Sequence, residues 1–307
     1  MIARAPGKLV LSGAYSVLEG APAIVAAVDR YAVADGARAA DFIADEVRAA
    51  VEMGAMPRPV WFDASALRDR GPDGASRKLG LGSSAAILVA SLAAALGEGF
   101  ADDAALRAAI LPLALAAHRK AQGGGSGIDV AASVLGGVLR ARLAPEGELD
   151  LAPAPLPAGA VVEVYASPVA ASTRALLGLV RSLADRDPAR HRACLDAAGE
   201  GARRAAAARS IAELVLAVQA QTDALGALGE AAGAAIVTPE VAKLRAPAET
   251  LGGTFAPSGA GGGDIAFYLG PEATTAAFRA LATAHGLTRV ALAVGAAGAG
   301  RIPPGAR

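Results

Sequence analysis

The amino-acid sequence predicts an α+β fold with two domains. The chain has 307 residues, and domains are commonly about 100–200 residues long, so two is the expected number. Segments with strand and helix patterns alternate irregularly instead of forming a regular βαβ array. The stretch APEGELDLAPAPLPAGA (144–160) is rich in proline and glycine and has no periodicity, which is typical of a linker. We therefore place one domain at 1–155 and the other at 156–307.

The first half of the chain is predicted to begin with apolar strands and to continue into alanine-rich helices. Residues 36–77 show no clear period, apart from the strand-like VWFD at 60–63. Pro112 is expected to kink or split the second helix. A short helix is expected to pass through Gly136 and Gly137 into a strand within 128–143. The other predicted strands cover 7–13 and 21–35, and the predicted helices cover 83–96 and 102–120.

The second half of the chain is predicted to consist mainly of helices. VVEVYAS (161–167) alternates as a half-buried strand does, and TRVALAV (288–294) predicts a closing strand. The glycine-rich tail 295–307 is expected to be mobile. The predicted helices cover roughly 172–184, 188–208, 209–232, 239–251 and 271–285.

Charge and composition argue against a nucleic-acid-binding protein. The chain has 29 Lys and Arg against 29 Asp and Glu, and aromatic residues make up only 4% of it, whereas nucleic-acid-binding surfaces usually show a basic excess and stacking aromatics. Cys194 is the single cysteine, so a disulfide framework within the chain is excluded. The N-terminus lacks the apolar core of a signal peptide, and the uncharged stretch 79–97 opens with a Gly/Ser loop and is mostly alanine. We expect a cytoplasmic protein that binds neither nucleic acid nor membrane.

The stretch KLGLGSSAAI (78–87) places two glycines and two serines just before an apolar helix. Glycines let consecutive N–H groups line a small concavity, and the start of a helix adds the positive end of its dipole. The hydroxyls of Ser83 and Ser84 can bind phosphate oxygens or a magnesium ion. Because the spacing matches neither the Walker pattern nor the dinucleotide fingerprint, a phosphate-binding loop and a tight turn with a helix cap both remain open.

Two further glycine-rich stretches also allow two interpretations each. AHRKAQGGGSGIDVAA (117–132) leads to Asp129, which is either a helix N-cap or a catalytic carboxylate. PSGAGGGDIAFYL (257–269) is either a hairpin turn or a loop that brings the backbone close to a ligand. Glycine loses more backbone entropy on folding than any other residue, so such runs are costly for plain turns.

Together these stretches resemble the signature motifs of the GHMP small-molecule kinases, named for galactokinase, homoserine kinase, mevalonate kinase and phosphomevalonate kinase. APGKLVLSGAYSVLEGAPAIVAAVDRY (5–31) is similar to the first motif, KLGLGSSAA (78–86) to the second and PSGAGGGD (257–264) to the third. The resemblance spans most of the chain. It implies the two-domain GHMP kinase fold, in which the ATP-binding N-terminal domain is like ribosomal protein S5 domain 2 and the C-terminal domain is ferredoxin-like.

The resemblance implies roles for residues in each motif, with ATP and Mg²⁺ as cofactors and Ser84 near the metal. Lys8 and Asp129 would be the catalytic residues, with Asp129 as general base or as electrostatic partner of Lys8. The residues that would bind ATP are Gly80, Leu81, Gly82, Ser83, Ser84, Ala85, Ser258, Gly259, Gly261 and Gly262. The residues that would bind the acceptor are Tyr15, Lys78, Ser126, Gly127, Ser172, Thr173 and Arg174, with Lys120 as a further cation.

Within the family, the chain resembles the phosphomevalonate kinases. AHRKAQGGGSGIDVAASVLGG (117–137) and ASPVAASTRALL (166–177) are similar to their sequences, and His118 stands where mevalonate kinases carry a glutamate ligand of magnesium. Ala14 and Ala256 depart from the family pattern, which usually has glutamate and often lysine at these positions.

The resemblance implies phosphorylation of 5-phosphomevalonate to 5-diphosphomevalonate, in the mevalonate route to isoprenoids, by a monomer or homodimer. The alternatives are mevalonate kinase, another GHMP kinase, or a non-catalytic nucleotide-binding homologue.

Overall fold

The computed structural model describes residues 1–70 and 76–303, and its architecture is the mixed α+β type that the sequence predicts. The strands are β1 (Ile2–Ser12), β2 (Pro22–Ala39), β3 (Val60–Asp63), β4 (Arg68–Arg70), β5 (Ser76–Lys78), β6 (Val138–Leu143), β7 (Leu149–Pro153), β8 (Val161–Ala166), β9 (Thr254–Pro257), β10 (Ile265–Gly270), β11 (Thr288–Val290) and β12 (Gly300–Arg301). The helices are α1 (Asp45–Glu52), α2 (Ser83–Leu96), α3 (Asp103–Gln122), α4 (Ile128–Leu135), α5 (Thr173–Arg186), α6 (Pro188–Ala207), α7 (Ile211–Ala232), α8 (Pro239–Glu249) and α9 (Ala276–Ala284).

Backbone contacts divide the chain into two compact units. Unit 1 contains Met1–Leu9, Val25–Leu139 and the C-terminal segment from Ala293, and unit 2 contains Val10–Ile24 and Arg140–Leu292. Unit 1 therefore consists of three separate segments of sequence, and unit 2 of two. The sequence, by contrast, predicts a single boundary after residue 155.

The described strands form three sheets. The six-stranded sheet has the order β12-β1-β2-β6-β7, with β3 paired to β2, and the four-stranded sheet has the order β11-β8-β10-β9. Strands β4 and β5 pair antiparallel, with Arg68 opposite Lys78. The pairings of β8 with β10 and β11, and of β9 with β10, are all antiparallel.

The core of unit 1 is built around α2, whose bounds are those predicted from the sequence. Nine of its residues, from Ala85 to Ala94, are buried, and the helix packs on α3 and α4. A helix that is apolar all round is expected to be buried in this way. Its alanines allow close approach, and Gly36 of β2 shows how close: a Cβ there would lie 2.3 Å from the Ala94 carbonyl oxygen.

Helix α3 is continuous, so of the two outcomes predicted for Pro112, a kink or a split, the split is wrong. The helix runs from Asp103 to Gln122 with Pro112 inside it. Proline removes the hydrogen bond to the carbonyl four residues earlier, that of Ala108. Both Pro112 and Ala108 are exposed, so water can satisfy the freed carbonyl, and the break that a buried proline would force is avoided.

Three other segments differ from the sequence-based expectations. The segment predicted as irregular contains α1, a single short helix whose buried face includes Val47 and Ala50. The predicted linker 144–160 contains strand β7. The tail expected to be mobile contributes β12, whose Gly300 and Arg301 pair with β1. Residues 304–307 of that tail lie outside the described residues.

Unit 2 has an aromatic core under its four-stranded sheet. Tyr165, Phe255, Tyr268 and Phe278 pack with ring centroids 5.4–6.1 Å apart, at tilted or edge-on angles, which is the favoured geometry for aromatic pairs. Helix α7 is long and apolar enough to span a membrane by length and composition, but half of its most apolar stretch is buried inside the protein. It therefore has the burial of a core helix.

Candidate active site

The glycine-rich loop before α2 lies in unit 1 and has the backbone that a phosphate-binding loop needs. Gly80 and Gly82 both have left-handed φ angles, of 71° and 73°, which glycine adopts without the cost that a Cβ imposes. Gly82 is the N-cap of α2, and no side chain makes a capping hydrogen bond there. The conventional side-chain cap left open by the sequence is therefore absent. Orphan N–H groups at the start of a long helix attract anions.

Lys8 is held directly against this loop. Its ammonium donates to the Gly80 carbonyl at 3.2 Å, and its backbone N–H donates to the Leu81 carbonyl at 2.8 Å. Its stem lies on Gly82, where a Cβ would sit 2.9 Å from Lys8 Cγ and 3.0 Å from Cε. The structure thus brings together a predicted catalytic lysine and the predicted ATP loop, and shows that Gly82 must be glycine for this contact.

The first turn of α2 presents the two predicted hydroxyls. Ser83 and Ser84 are partly exposed, whereas Leu81 and Ala85 on either side are buried. Leu81 and Ala85 can therefore contribute backbone groups but not side chains to a ligand. Among the described residues no group of three or more His, Cys, Asp or Glu could hold a metal ion. A magnesium ion that keeps waters and shares substrate phosphates needs few protein ligands, and one hydroxyl such as that of Ser84 fits this requirement.

Asp129 lies in the first turn of α4, in unit 1, and is not its N-cap. The N-cap is Gly127, with a φ of 73°, so the capping role weighed in the sequence analysis is wrong. One carboxylate oxygen of Asp129 accepts from the Val130 N–H at 2.9 Å. The partly exposed carboxylate sits near the N-terminus of α4, the positive end of the helix dipole.

His118 is the second partner of Asp129. Its Nε2 lies 3.5 Å from the other carboxylate oxygen, Oδ2, and the ring is 90% buried at the side chain. Its Nδ1 is enclosed and has no hydrogen-bond partner among the described residues. The carboxylate is the polar partner that the structure gives this imidazole, so the two side chains orient each other.

The glycines before α4 form an open turn. Gly123, Gly124 and Gly125 all have positive φ angles, and a Cβ at any of them would meet no atom within 4 Å. Ser126 is partly exposed and Gly127 is buried. Helix α4 is tied to β1, the strand of Lys8, by a hydrogen bond from the Ser133 hydroxyl to the Pro6 carbonyl at 2.8 Å. This bond fixes the elements that carry Lys8 and Asp129.

The two other lysines predicted near the acceptor differ in their surroundings. Lys78 is exposed at the end of β5, and its role in binding the acceptor stays a prediction. Lys120 forms an ion pair of 2.8 Å with Glu52 of α1, and this ammonium lowers the pKa of the Glu52 carboxyl. Lys120 is therefore engaged in a surface ion pair.

The third glycine-rich stretch lies in unit 2, where contacts within the protein explain three of its glycines. A Cβ on Gly261 would lie 2.0 Å from the Ile236 carbonyl oxygen, and one on Gly263 would lie 2.3 Å from that of Val169. A Cβ on Gly262 would meet Leu176 Cδ1 at 2.8 Å. Close packing of the loop therefore requires glycine here even without a ligand.

Ser258 and Tyr15, also in unit 2, fasten this loop to the chain near its start. The Ser258 hydroxyl accepts from the Val10 N–H at 3.0 Å, and the Tyr15 hydroxyl donates to the Ala260 carbonyl at 2.7 Å. Burial raises the pKa of the Tyr15 phenol above its usual range, so it keeps the proton that it donates. Gly259 lies between Ser258 and Ala260 in the sequence and is partly exposed.

Ser172, Thr173 and Arg174 form the exposed start of α5 in unit 2. Ser172 is the N-cap, and its hydroxyl accepts from the Ala175 N–H at 3.3 Å. Asp264, with a left-handed φ of 51°, positions the segment before them: its carboxylate accepts from the Ala171 N–H at 3.1 Å, and its N–H donates to the Val169 carbonyl at 2.8 Å. The hydroxyl and guanidinium groups of Thr173 and Arg174 face solvent.

The two departures from the family pattern lie in the same part of unit 2. Ala14 and Ala256 are 8% and 2% exposed, and both line a cavity of about 10 Å³. This volume is enough for about one water molecule, and it leaves no room for a glutamate or a lysine. Gln221 of α7 lines the same cavity, and its side-chain oxygen accepts from the Gly13 N–H at 3.1 Å. The small side chains of the two alanines therefore fit a tightly packed site that larger side chains could not enter.

Several positioning residues were not found from the sequence. Ser133 and Gln221 each hold a predicted site segment across more than one hundred residues of chain, and Asp264, predicted only as the end of the third motif, holds the 171 segment across ninety-three. Single polar residues of this kind have no local pattern. His118 was noted only as a replacement for a metal ligand, and its contact with Asp129 follows from the packing of α3 on α4.

Part of the chain matches a known protein family. Residues 72–137 match the family described as GHMP kinases N terminal domain. A phosphomevalonate kinase from Streptomyces sp. (strain CL190) is 29% identical to the chain over an alignment that covers 88% of this chain and 89% of that protein.

Two solved structures share the fold over nearly their whole length. The Lin0012 protein from Listeria innocua has a TM-score of 0.78 at 22% identity, covering 97% of this chain and 99% of the other. The Streptococcus pneumoniae phosphomevalonate kinase in complex with phosphomevalonate and AMPPNP has a TM-score of 0.77 at 19% identity, covering 96% and 99%. The chain is therefore similar to the GHMP kinases N terminal domain family over residues 72–137 and to a phosphomevalonate kinase over most of its length.

Proposed function

We propose that the chain transfers the γ-phosphoryl group of ATP to the phosphate of 5-phosphomevalonate, giving ADP and 5-diphosphomevalonate. The observation that carries this proposal is the similarity to a phosphomevalonate kinase across 88% of the chain. The contact of Lys8 with the Gly80 carbonyl supports it, because it joins a cation to the proposed phosphate loop.

Unit 1 supplies the groups that phosphoryl transfer needs most. The reaction depends mainly on positioning and on neutralising charge spread over the phosphoryl oxygens. In the proposal, the N–H groups of the 80–85 segment bind the ATP phosphates, and the Lys8 ammonium neutralises charge on the group in transfer. Ser84 would hold magnesium, which would supply further neutralisation of the phosphoryl charge.

The nature of the acceptor bears on the role of Asp129. A phosphate monoester has a second pKa of about 6, so at neutral pH it mostly carries an unprotonated oxygen that can attack the γ-phosphorus. As the new P–O bond forms, the bond from the γ-phosphorus to the bridging oxygen of ADP breaks, and no proton must be removed from the acceptor. An electrostatic role for Asp129, orienting Lys8, therefore suits a phosphate acceptor better than a general-base role.

The acceptor is an anion with a carboxylate and a phosphate, so it requires cations and donors. Lys78 in unit 1 and Arg174 in unit 2 are exposed and can provide charge. In the proposal, Ser126, Gly127, Ser172 and Thr173 provide hydrogen-bond donors. Tyr15 acts indirectly, by holding the 258–262 loop through Ala260.

A coupled assay of ADP release tests the proposal against the other members of the family. We expect turnover with phosphomevalonate and none with mevalonate, homoserine or galactose. Turnover of mevalonate but not of its phosphate would overturn the choice of acceptor. Nucleotide binding in calorimetry, without ADP release for any acceptor, would favour a non-catalytic homologue.

The Asp129→Ala variant tests the site within the same assay. We expect its transfer rate to fall by about 100-fold or more, the size of loss seen when one preorganised charge-stabilising group is removed. Its affinity for ATP, measured by calorimetry, is expected to stay near that of the unmodified chain. A variant that keeps the full rate would remove Asp129 from the mechanism.

A further inference from the structure

Three arginines line one cavity in unit 2 that takes no part in the proposed reaction. The cavity has a volume of about 370 Å³, and its walls include Arg140 and Arg142 of β6 and Arg203 of α6. Because alternate residues of a strand point to the same face, Arg140 and Arg142 lie side by side. The 20–22 turn also lines the cavity, and the Arg142 Nε donates to the Gly20 carbonyl at 2.9 Å.

The charges around this cavity are not balanced. Arg203 pairs with Glu200 at 3.0 Å, and Arg140 has only a long contact of 3.4 Å with Asp150. The Nε of Arg140 is enclosed without a hydrogen-bond partner. The terminal nitrogens of Arg142 have no carboxylate partner among the described residues. The three guanidinium groups therefore have only two carboxylate partners among the described residues. A guanidinium group has the planar geometry to bind a phosphate or carboxylate with two parallel hydrogen bonds.

A second cavity adjoins the first. It measures about 400 Å³ and shares Arg140 and Ala206 with the arginine-lined cavity. Its other side chains are apolar. Three of them are prolines of the 152–157 segment, which is part of the predicted linker. The two volumes fall within the range of about 300–1,000 Å³ that is usual for small-molecule sites, and each exceeds what a bare phosphate ion would fill.

We propose that these joined cavities bind an organic phosphate, with its phosphoryl group on Arg140, Arg142 and Arg203 and its carbon chain along the proline segment. The guanidinium groups supply the excess positive charge, and the adjoining apolar side chains supply a surface for a chain that inorganic phosphate lacks. The site is independent of the kinase reaction, because none of its residues belongs to the proposed ATP or acceptor groups.

Hydrogen–deuterium exchange with n-hexyl phosphate as the probe tests this site in the full chain. We expect the probe to slow exchange in peptides covering 138–157 and 199–208, at concentrations at least 10-fold lower than inorganic phosphate needs. Hexanol, which lacks the charge, is expected to give no protection. Protection by inorganic phosphate at the same concentrations as hexyl phosphate, or by neither compound, would overturn the proposal.

Variants of the arginines localise the effect. Arg142→Ala is expected to raise the concentration of hexyl phosphate for half-maximal protection by about 10-fold, which corresponds to about 1.4 kcal/mol, and Arg142→Lys by less. Arg192→Ala is the matched control, because Arg192 is also an exposed arginine of α6 and is paired with Asp196 outside the cavity. An equal loss in the Arg192 variant would contradict the site. ADP release by the same variants reports separately on the kinase proposal, so the two can fail independently.

Discussion

The contact between His118 and Asp129 is the residue-scale feature with the clearest consequence for the proposed reaction. The imidazole is enclosed, its Nδ1 has no partner in the described part of the chain, and its Nε2 faces the carboxylate at 3.5 Å. When the imidazole holds Asp129 in place, the carboxylate keeps the same orientation in every turnover. We therefore infer that His118 is a positioning residue, acting on the reaction through Asp129.

Replacing His118 tests this inference. His118→Phe keeps a ring in the buried site but removes the nitrogen that faces Asp129. We expect kcat to fall by about 10-fold, which corresponds to about 1.4 kcal/mol of lost transition-state stabilisation, because Asp129 loses the partner that orients it. KM for ATP is expected to change little, because the 80–85 loop is untouched. Steady-state kinetics with phosphomevalonate provide the measurement.

His118→Gln is the control, because its amide nitrogen can take the place of Nε2. We expect it to recover most of kcat. Equal losses in the Phe and Gln variants, or a loss confined to thermal stability, would mean that His118 serves only to fill space.

Single residues also show where sequence reasoning stops. Lys8 and Asp129 were predicted as catalytic residues because they stand in recognisable motifs. Lys120 belongs to the same stretch as Asp129, yet its ammonium forms an ion pair with the Glu52 carboxylate. That pairing depends on how α1 packs against α3, and α1 itself was not predicted. Whether a lysine is available to a ligand therefore depends on tertiary contacts that the sequence does not display.

At the scale of an element, the loop from Gly80 to Gly82 joins backbone conformation to function. Gly82 has a left-handed φ and also lies under the Lys8 side chain. A side chain at this position would therefore strain the backbone and displace the lysine. The first effect changes stability, and the second changes the binding of phosphates.

Gly82→Ala and Gly123→Ala separate these two effects. The φ angles are 73° and 70°, but a Cβ at Gly123 meets no atom within 4 Å. We expect both variants to lose about 1 kcal/mol of unfolding free energy, measured by urea denaturation. Only Gly82→Ala is expected to lose ATP affinity and kcat/KM, by about 10-fold or more, because about 1.4 kcal/mol of lost binding is a factor of ten. Equal activity in the two variants would show that the Lys8 contact is unimportant.

Elements with strong periodicity were predictable from the sequence, and those that depend on partners were not. Helix α2 has its predicted bounds because its apolar run ends at glycines on both sides. Strand β7 lies in a segment that also contains prolines, and it forms only because β6 offers an edge to pair with. Strand β12 has two residues and no pattern of its own, and its pairing with Ala3 and Arg4 defines it.

For the molecule as a whole, the discontinuous units could not be read from the sequence. Three hydrogen bonds explain why Val10–Ile24 belongs to unit 2: Val10 bonds Ser258, Gly13 bonds Gln221 and Tyr15 bonds Ala260. Each joins residues more than two hundred positions apart, and pairings at such separations leave no periodic signal in a single sequence. The α+β class was predictable because it depends only on local patterns.

The proposed reaction can be observed directly by ³¹P nuclear magnetic resonance of a mixture of the chain, ATP, magnesium and 5-phosphomevalonate. We expect the phosphate monoester signal to disappear and a pair of coupled diphosphate signals to replace it, with one ADP formed for each diphosphate. The Asp129→Ala chain provides the background rate. A monoester signal that persists while ATP stays intact, or ATP consumption with mevalonate in place of its phosphate, would contradict the assignment.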